Sequence, residues 1–182
     1  RSPQKMLIFD ANGKFKTDWD FFFKIPHGIC IDSAGNIYTV DMGTHLVEKH
    51  APWGGLLMTL GNPDQPSDTG HLDHVGGERF LAERASGPFN MCCAVAVSDS
   101  GEIFVADGYG NSRVHKFSPQ GELLMSWGEP GKGGPGEFHL PHGITIDRHG
   151  RLLVCDRENN RIQIYDQDGN YLDMWTGFLQ PT

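Results

Sequence analysis

Two glycine-anchored motifs alternate along this chain, and that alternation constrains the fold more than any other feature. The first runs from Ile29 through Gly35 to Asp41, again from Val95 through Gly101 to Asp107, and again from Ile144 through Gly150 to Asp156. The second pairs a glycine with a bulky residue six positions on: Gly13 with Trp19, Gly54 with Leu60, Gly121 with Trp127 and Gly169 with Trp175. Short runs rich in Val, Ile, Phe and Tyr, broken by turn clusters such as Ser33-Ala34-Gly35 and Gln167-Asp168-Gly169, read as β-hairpins. Two hairpins make one four-stranded unit. Glycines of the first motif lie 66 and 49 residues apart, and those of the second 41, 67 and 48. A four-stranded unit of about forty to fifty residues has the length of a β-propeller blade.

The expected fold is therefore all-β, a single propeller region spanning residues 1–182 and forming an incomplete arc of a six-bladed ring. Residues 5–19 supply two outer strands of a first blade, and 23–61, 89–128 and 138–177 supply three whole blades, with 62–88 as an inserted loop. Residues 178–182 begin another. The unequal motif counts imply a chain that opens inside one repeat and stops just after another starts. An open arc exposes strand edges, so either further blades or a second copy, in a homodimer that closes the ring, is expected to cover them.

Composition narrows the partners. The 182 residues are 38% hydrophobic, and no apolar run approaches the length of a membrane helix. Fifteen basic against 23 acidic residues leave a net charge of −8 without a Lys/Arg cluster, which argues against a nucleic-acid partner. A peptide or small-molecule ligand at the channel mouth fits better, and nothing in the sequence indicates a compartment.

Three strings are more specific than the repeat frame: Asp107-Gly108-Tyr109-Gly110-Asn111-Ser112-Arg113, Phe138-His139-Leu140-Pro141-His142-Gly143, and Asp156-Arg157-Glu158-Asn159-Asn160-Arg161. With Ile25-Pro26-His27-Gly28-Ile29, they make the chain resemble, from about Phe23 to Gly177, an NHL-repeat propeller of the peptidyl-α-hydroxyglycine α-amidating lyase family. The resemblance implies a zinc ion on the propeller axis, held by three histidines from alternate blades, with a fourth position open. His27 and His142 match two of those positions, and the third belongs to a blade outside this chain. Tyr109 matches the family's acid/base. The implied reaction cleaves a peptidyl-α-hydroxyglycine to peptide amide and glyoxylate, with the metal acidifying the substrate hydroxyl for a neighbouring phenolate. A phenol, with an ordinary pKa of about 10, needs a nearby cation for this. The family's active-site arginine lies in an N-terminal blade not present here. Ile29 matches a residue whose carbonyl helps hold a structural calcium.

Bland readings stand beside these. Pro-His-Gly begins the inner strand of many NHL repeats, where the imidazole merely lines the channel, and Tyr109 sits on an inter-strand loop. Arg113 and Arg161 follow Asp107 and Asp156 by six and five residues, a spacing that suggests salt bridges between blades. Asp41, Asp107 and Asp156 read as strand-end residues.

The chain also departs from the family. The resemblance implies a disulfide from the start of the third blade to the tyrosine loop, but Asn90 and Gly110 occupy those positions. Cys30, Cys92, Cys93 and Cys155 read as free, buried thiols of inner strands. Cys93 aligns with His27 and His142, where a small core residue or a soft metal ligand fits. In the insertion, His71 and His74 offer a second pair without a helix to align them. Two functions follow as expectations: a metal-dependent lyase, with reduced or no activity as a fragment, or a non-catalytic NHL scaffold that binds protein or ligand. A lactonase-like hydrolase fits less well, because its metal site uses carboxylate and amide oxygens where this chain offers imidazoles.

Overall fold

A computed structural model describes residues 4–71 and 81–182. A first hairpin pairs β1 (Gln4–Phe9) with β2 (Phe15–Phe21). Three antiparallel four-stranded meanders follow. The first joins β3 (Pro26–Ile31), β4 (Ile37–Asp41), β5 (Leu46–His50) and β6 (Leu56–Leu60). The second joins β7 (Cys92–Val97), β8 (Ile103–Asp107), β9 (Arg113–Phe117) and β10 (Leu123–Trp127). A small parallel pair, β11 (Glu129–Pro130) with β12 (Glu137–Phe138), leads into the third: β13 (Pro141–Ile146), β14 (Leu152–Asp156), β15 (Arg161–Tyr165) and β16 (Tyr171–Trp175). The expected all-β propeller arc is what the chain forms. Among the described residues the only helical turn is the 3₁₀ segment Arg157–Asn159, and no helix is long and apolar enough to cross a membrane.

Local chemistry makes the hairpins. Asp10, Asp32, Asp147 and Asp166 each accept backbone N–H groups from the residues two and four positions on. The glycine three positions on takes positive φ, between 76° and 81°, where a Cβ would be strained. Ser98 and Ser118 replace the aspartate in the middle meander with a hydroxyl that does the same work.

Packing then stacks the meanders face to face. Alternate side chains of β8 serve two cores. Ile103 and Val105 pack with Tyr38, Val40 and Phe89 against the first meander, whereas Phe104 and Ala106 pack with Phe138, Leu152 and Tyr165 against the third. The middle blade is therefore buried on both faces. The first is not: Ile29 and Ile31 of β3 remain 61% and 63% exposed.

Each second strand ends on a buried aspartate, whose carboxylate holds the segment that leads into the innermost strand. Asp41 accepts from Lys24 N and Ile25 N, Asp107 from Asn90 N, and Asp156 from His139 N at 2.8 Å. Lys24, Asn90 and His139 lie three residues before His27, Cys93 and His142, respectively. These aspartates thus set where the axial residues begin. The expected inter-blade ion pairs are corrected by the same geometry. Arg161 Nε bonds Asp156 at 2.7 Å within one blade, and Arg113 instead donates to the Ser126 carbonyl, because the bond capacity of Asp107 is taken by Asn90, Asn111 and His115.

Candidate functional site

The innermost strands β3, β7 and β13 lie side by side and place His27, Cys93 and His142 at equivalent positions, since Pro26, Cys92 and Pro141 pair with Asp41, Asp107 and Asp156. His27 and His142 converge, with ring centroids 4.8 Å apart. Tyr109, on the loop between β8 and β9, completes the cluster: its hydroxyl lies 3.1 Å from His142 Nε2 and 3.4 Å from His27 Nε2. Gly108 permits this approach. A Cβ there would meet the Pro141 carbonyl at 2.2 Å, so no larger residue lets the loop reach β13.

The hydrogen bonds assign a tautomer. His27 Nδ1 lies 2.7 Å from the Cys93 carbonyl, which can only accept, so Nδ1 carries the proton and Nε2 of the neutral ring is bare. A backbone carbonyl behind an imidazole is the usual support for a metal-ligating histidine. Tyr109 has one proton for two imidazole nitrogens, so His142 and His27 cannot both be bare acceptors of it. Burial, with the neighbouring His27 and Arg157 charges, pulls His142 down to about 4. Neutral imidazole is the form that binds metal.

Arg157 is a residue that sequence reasoning missed. Its guanidinium pairs with Glu158 at 2.5 Å, yet its Nε is buried with no hydrogen-bond partner among the described residues, and its charge is felt at both His142 and Cys93. The Asp156-Arg157-Glu158-Asn159 string was the available signal, but only the 3₁₀ turn after β14 brings this charge near His142.

Other expected residues fare differently. Burial and the Asp107 charge push the Cys93 thiol up to about 12, and its sulfur faces the Met91 carbonyl at 3.7 Å. A metal there would have to displace a tightly held proton. All four cysteines are free; Cys155 lies on a second strand, and Cys30 and Cys155 are only partly buried. Ile29 lies two residues past His27, paired with Thr39. Among the described residues no three His, Cys, Asp or Glu side chains gather as a metal cage. The donors present fit zinc in part, two imidazole nitrogens of its usual four ligands. His71 lies on the insertion, and His74 lies outside the described residues. Asp107, His115 and Ser126 form a triad-like chain, at 3.2 Å and 2.7 Å, but Asp107 and His115 are wholly enclosed. It is a structural network across three strands, because no substrate can reach it.

A cavity of about 260 Å³, lined by Met6, Phe23, Pro26, His27 and Thr39, opens beside the cluster. A second, of about 270 Å³, is lined by Gly28, Ile29, Ala94, Gly143 and Thr182.

The meanders are blades of a β-propeller arc, and NHL repeats match residues 23–49, 89–117 and 138–165. The chain resembles, more particularly, the amidating lyases. It is 35% identical over 177 residues to peptidyl-alpha-hydroxyglycine alpha-amidating lyase 1 of Drosophila melanogaster, covering 91% of this chain and 30% of that protein. It is also 33% identical to human NHL repeat-containing protein 3, covering 94% of this chain and 48% of the relative. The chain thus spans less than half the length of these relatives. Among solved structures, a streptogramin B lyase superposes with a TM-score of 0.65 at 16% identity, over 95% of this chain and 48% of that one, a likeness of fold.

Proposed function

We propose that this chain carries part of the active site of a zinc-dependent lyase acting on peptidyl-α-hydroxyglycines. One observation carries the reading: two imidazole Nε2 atoms from blades separated by a third meet at a single phenol oxygen. His27 and His142 would hold the metal, which when bound lowers the pKa of the substrate hydroxyl. Tyr109, as phenolate, takes the hydroxyl proton. The oxygen lone pair then forms the aldehyde C=O as the C–N bond breaks, and the departing amide nitrogen receives a proton from the Tyr109 phenol, which gives the peptide amide and glyoxylate. Arg157 supplies a cation for the substrate carboxylate at the same mouth. In this reading the structural calcium draws on the Ile29 carbonyl, and a second copy closes the ring over the bare Ile29 and Ile31 face, which a mass measurement in solution checks.

Metal analysis of the purified chain, followed by zinc titration of His27→Ala and His142→Ala, tests the site. Stoichiometric zinc that both variants lose supports the lyase reading. Failure of the native chain to take up zinc overturns it and favours the scaffold reading, to which the similarity with NHL repeat-containing protein 3 points.

A further inference from the structure

The connection between β6 and β7 contains the insertion, and its two described limbs grip the loop that carries Tyr109. On the first limb, Thr69 is 1% exposed. Its hydroxyl donates to the Gly110 carbonyl at 2.5 Å and accepts from Asn90 Nδ2 at 3.0 Å. Asn90 Nδ2 also donates to the Ser67 carbonyl at 3.1 Å, and Gly110 N donates to the Asn90 carbonyl at 3.1 Å. On the second limb, Ser86 exchanges bonds with the Asn111 side chain: its N–H donates to Oδ1 at 3.3 Å, and its carbonyl accepts from Nδ2 at 3.2 Å. The limbs are joined, since Glu83 N and Arg84 N both donate to the Thr69 carbonyl at 3.1 Å.

The two residues after Tyr109 are thus each held by a limb of one insertion, through groups that are nearly all buried. Gly110 has no room to be anything else, because a Cβ there would lie 2.3 Å from Asn90 Oδ1. Through Thr69 and Ser86 the insertion bonds the residues of the tyrosine loop and not either axial histidine. Its bond pattern therefore acts on one member of the cluster and leaves the others to the repeat framework, whose aspartates hold the segments before His27 and His142.

We propose that the insertion is a clasp that positions Tyr109 over the two imidazoles, with Thr69 as its positioning residue. This rests on the reading of Tyr109 as acid/base, but its placement can be followed without turnover. A hydrogen bond to a buried carbonyl is lost when the hydroxyl is replaced by a methyl of the same shape, so Thr69→Val frees Gly110 and leaves the volume filled. Thr69→Ser keeps the donor.

The test follows the ring-carbon NMR signal of Tyr109, assigned by its loss in Tyr109→Phe, in the native chain labelled at tyrosine. In Thr69→Val the signal should shift or broaden while zinc affinity stays within twofold, and Thr69→Ser should restore it. Ser86→Pro, which removes the N–H donor on the other limb, should perturb the same signal and decides the matter if Thr69→Val does not fold. On a peptidyl-α-hydroxyglycine, kcat of Thr69→Val should fall at least tenfold with KM within twofold. An unmoved Tyr109 signal in a folded variant, with only a lower melting temperature, overturns the clasp. A shifted signal in a protein that takes up no zinc upholds the clasp and sinks the lyase reading instead.

Discussion

The Tyr109 hydroxyl stands 3.1 Å from His142 Nε2, although the two residues belong to different blades. Removing that hydroxyl separates acid/base chemistry from metal binding. Tyr109→Phe should hold zinc within a few-fold of the native chain while kcat drops by about 100-fold or more, as read by glyoxylate release and by zinc titration. Equal loss of zinc and turnover would show that the phenol serves the metal site and not the proton.

The Asp156–Arg161 pair is a second point of leverage. Both side chains are enclosed, and the carboxylate also accepts from Asn159, Gln163 and His139 N. Asp156→Ala strands a buried guanidinium and should cost about 3–5 kcal/mol, read from the urea midpoint. Because Asp156 anchors the segment ahead of His142, zinc binding should weaken in the same variant. A change under about 1 kcal/mol would mean that solvent reaches the pair.

Acid should unpick the hairpin turns. Although partial burial opposes ionisation, N–H groups of Arg151 and His149 and the Arg151 guanidinium hold the Asp147 carboxyl down at about 2, below the ordinary value of about 3.9. A folded pKa below the unfolded one contributes stability above the unfolded value, and that contribution is lost as pH falls through the folded one. Asp147→Ala should therefore melt below the native chain at neutral pH, with the gap narrowing under about pH 4 and closing near the folded value. A gap that persists unchanged at the acid end would place the stabilisation elsewhere.

Thiol chemistry should divide the cysteines in two. Cys92 and Cys93 are completely buried, and burial raises both, Cys93 to about 12. A thiol reagent at neutral pH needs thiolate and access. Cys30 and Cys155, only partly buried, should react first, with the other pair modified only as fast as the chain opens. Prompt modification of Cys93 in folded protein would point to an accessible axial sulfur.

Much of this was legible in the order of residues, because the information is local. An aspartate or serine with glycine three positions on closes a hairpin through its own neighbours' N–H groups, and alternating apolar residues between such turns have one way to pair. The repeat of that unit determined the blades, and the matching positions of His27, Cys93 and His142 within it determined that two imidazoles would face a common centre. What lay beyond reach were contacts between distant segments. The Arg157 charge comes near His142 only through the turn after β14, the aspartates bond backbone segments of their own blades where arginine partners in neighbouring blades were expected, and residues 67–69 grip the Tyr109 loop from some 40 positions away. Local turn chemistry repeats from blade to blade and can be read from its period, whereas a bond between an insertion and a loop has no period. Packing alone selects it, once the sheets have brought both segments to the same face.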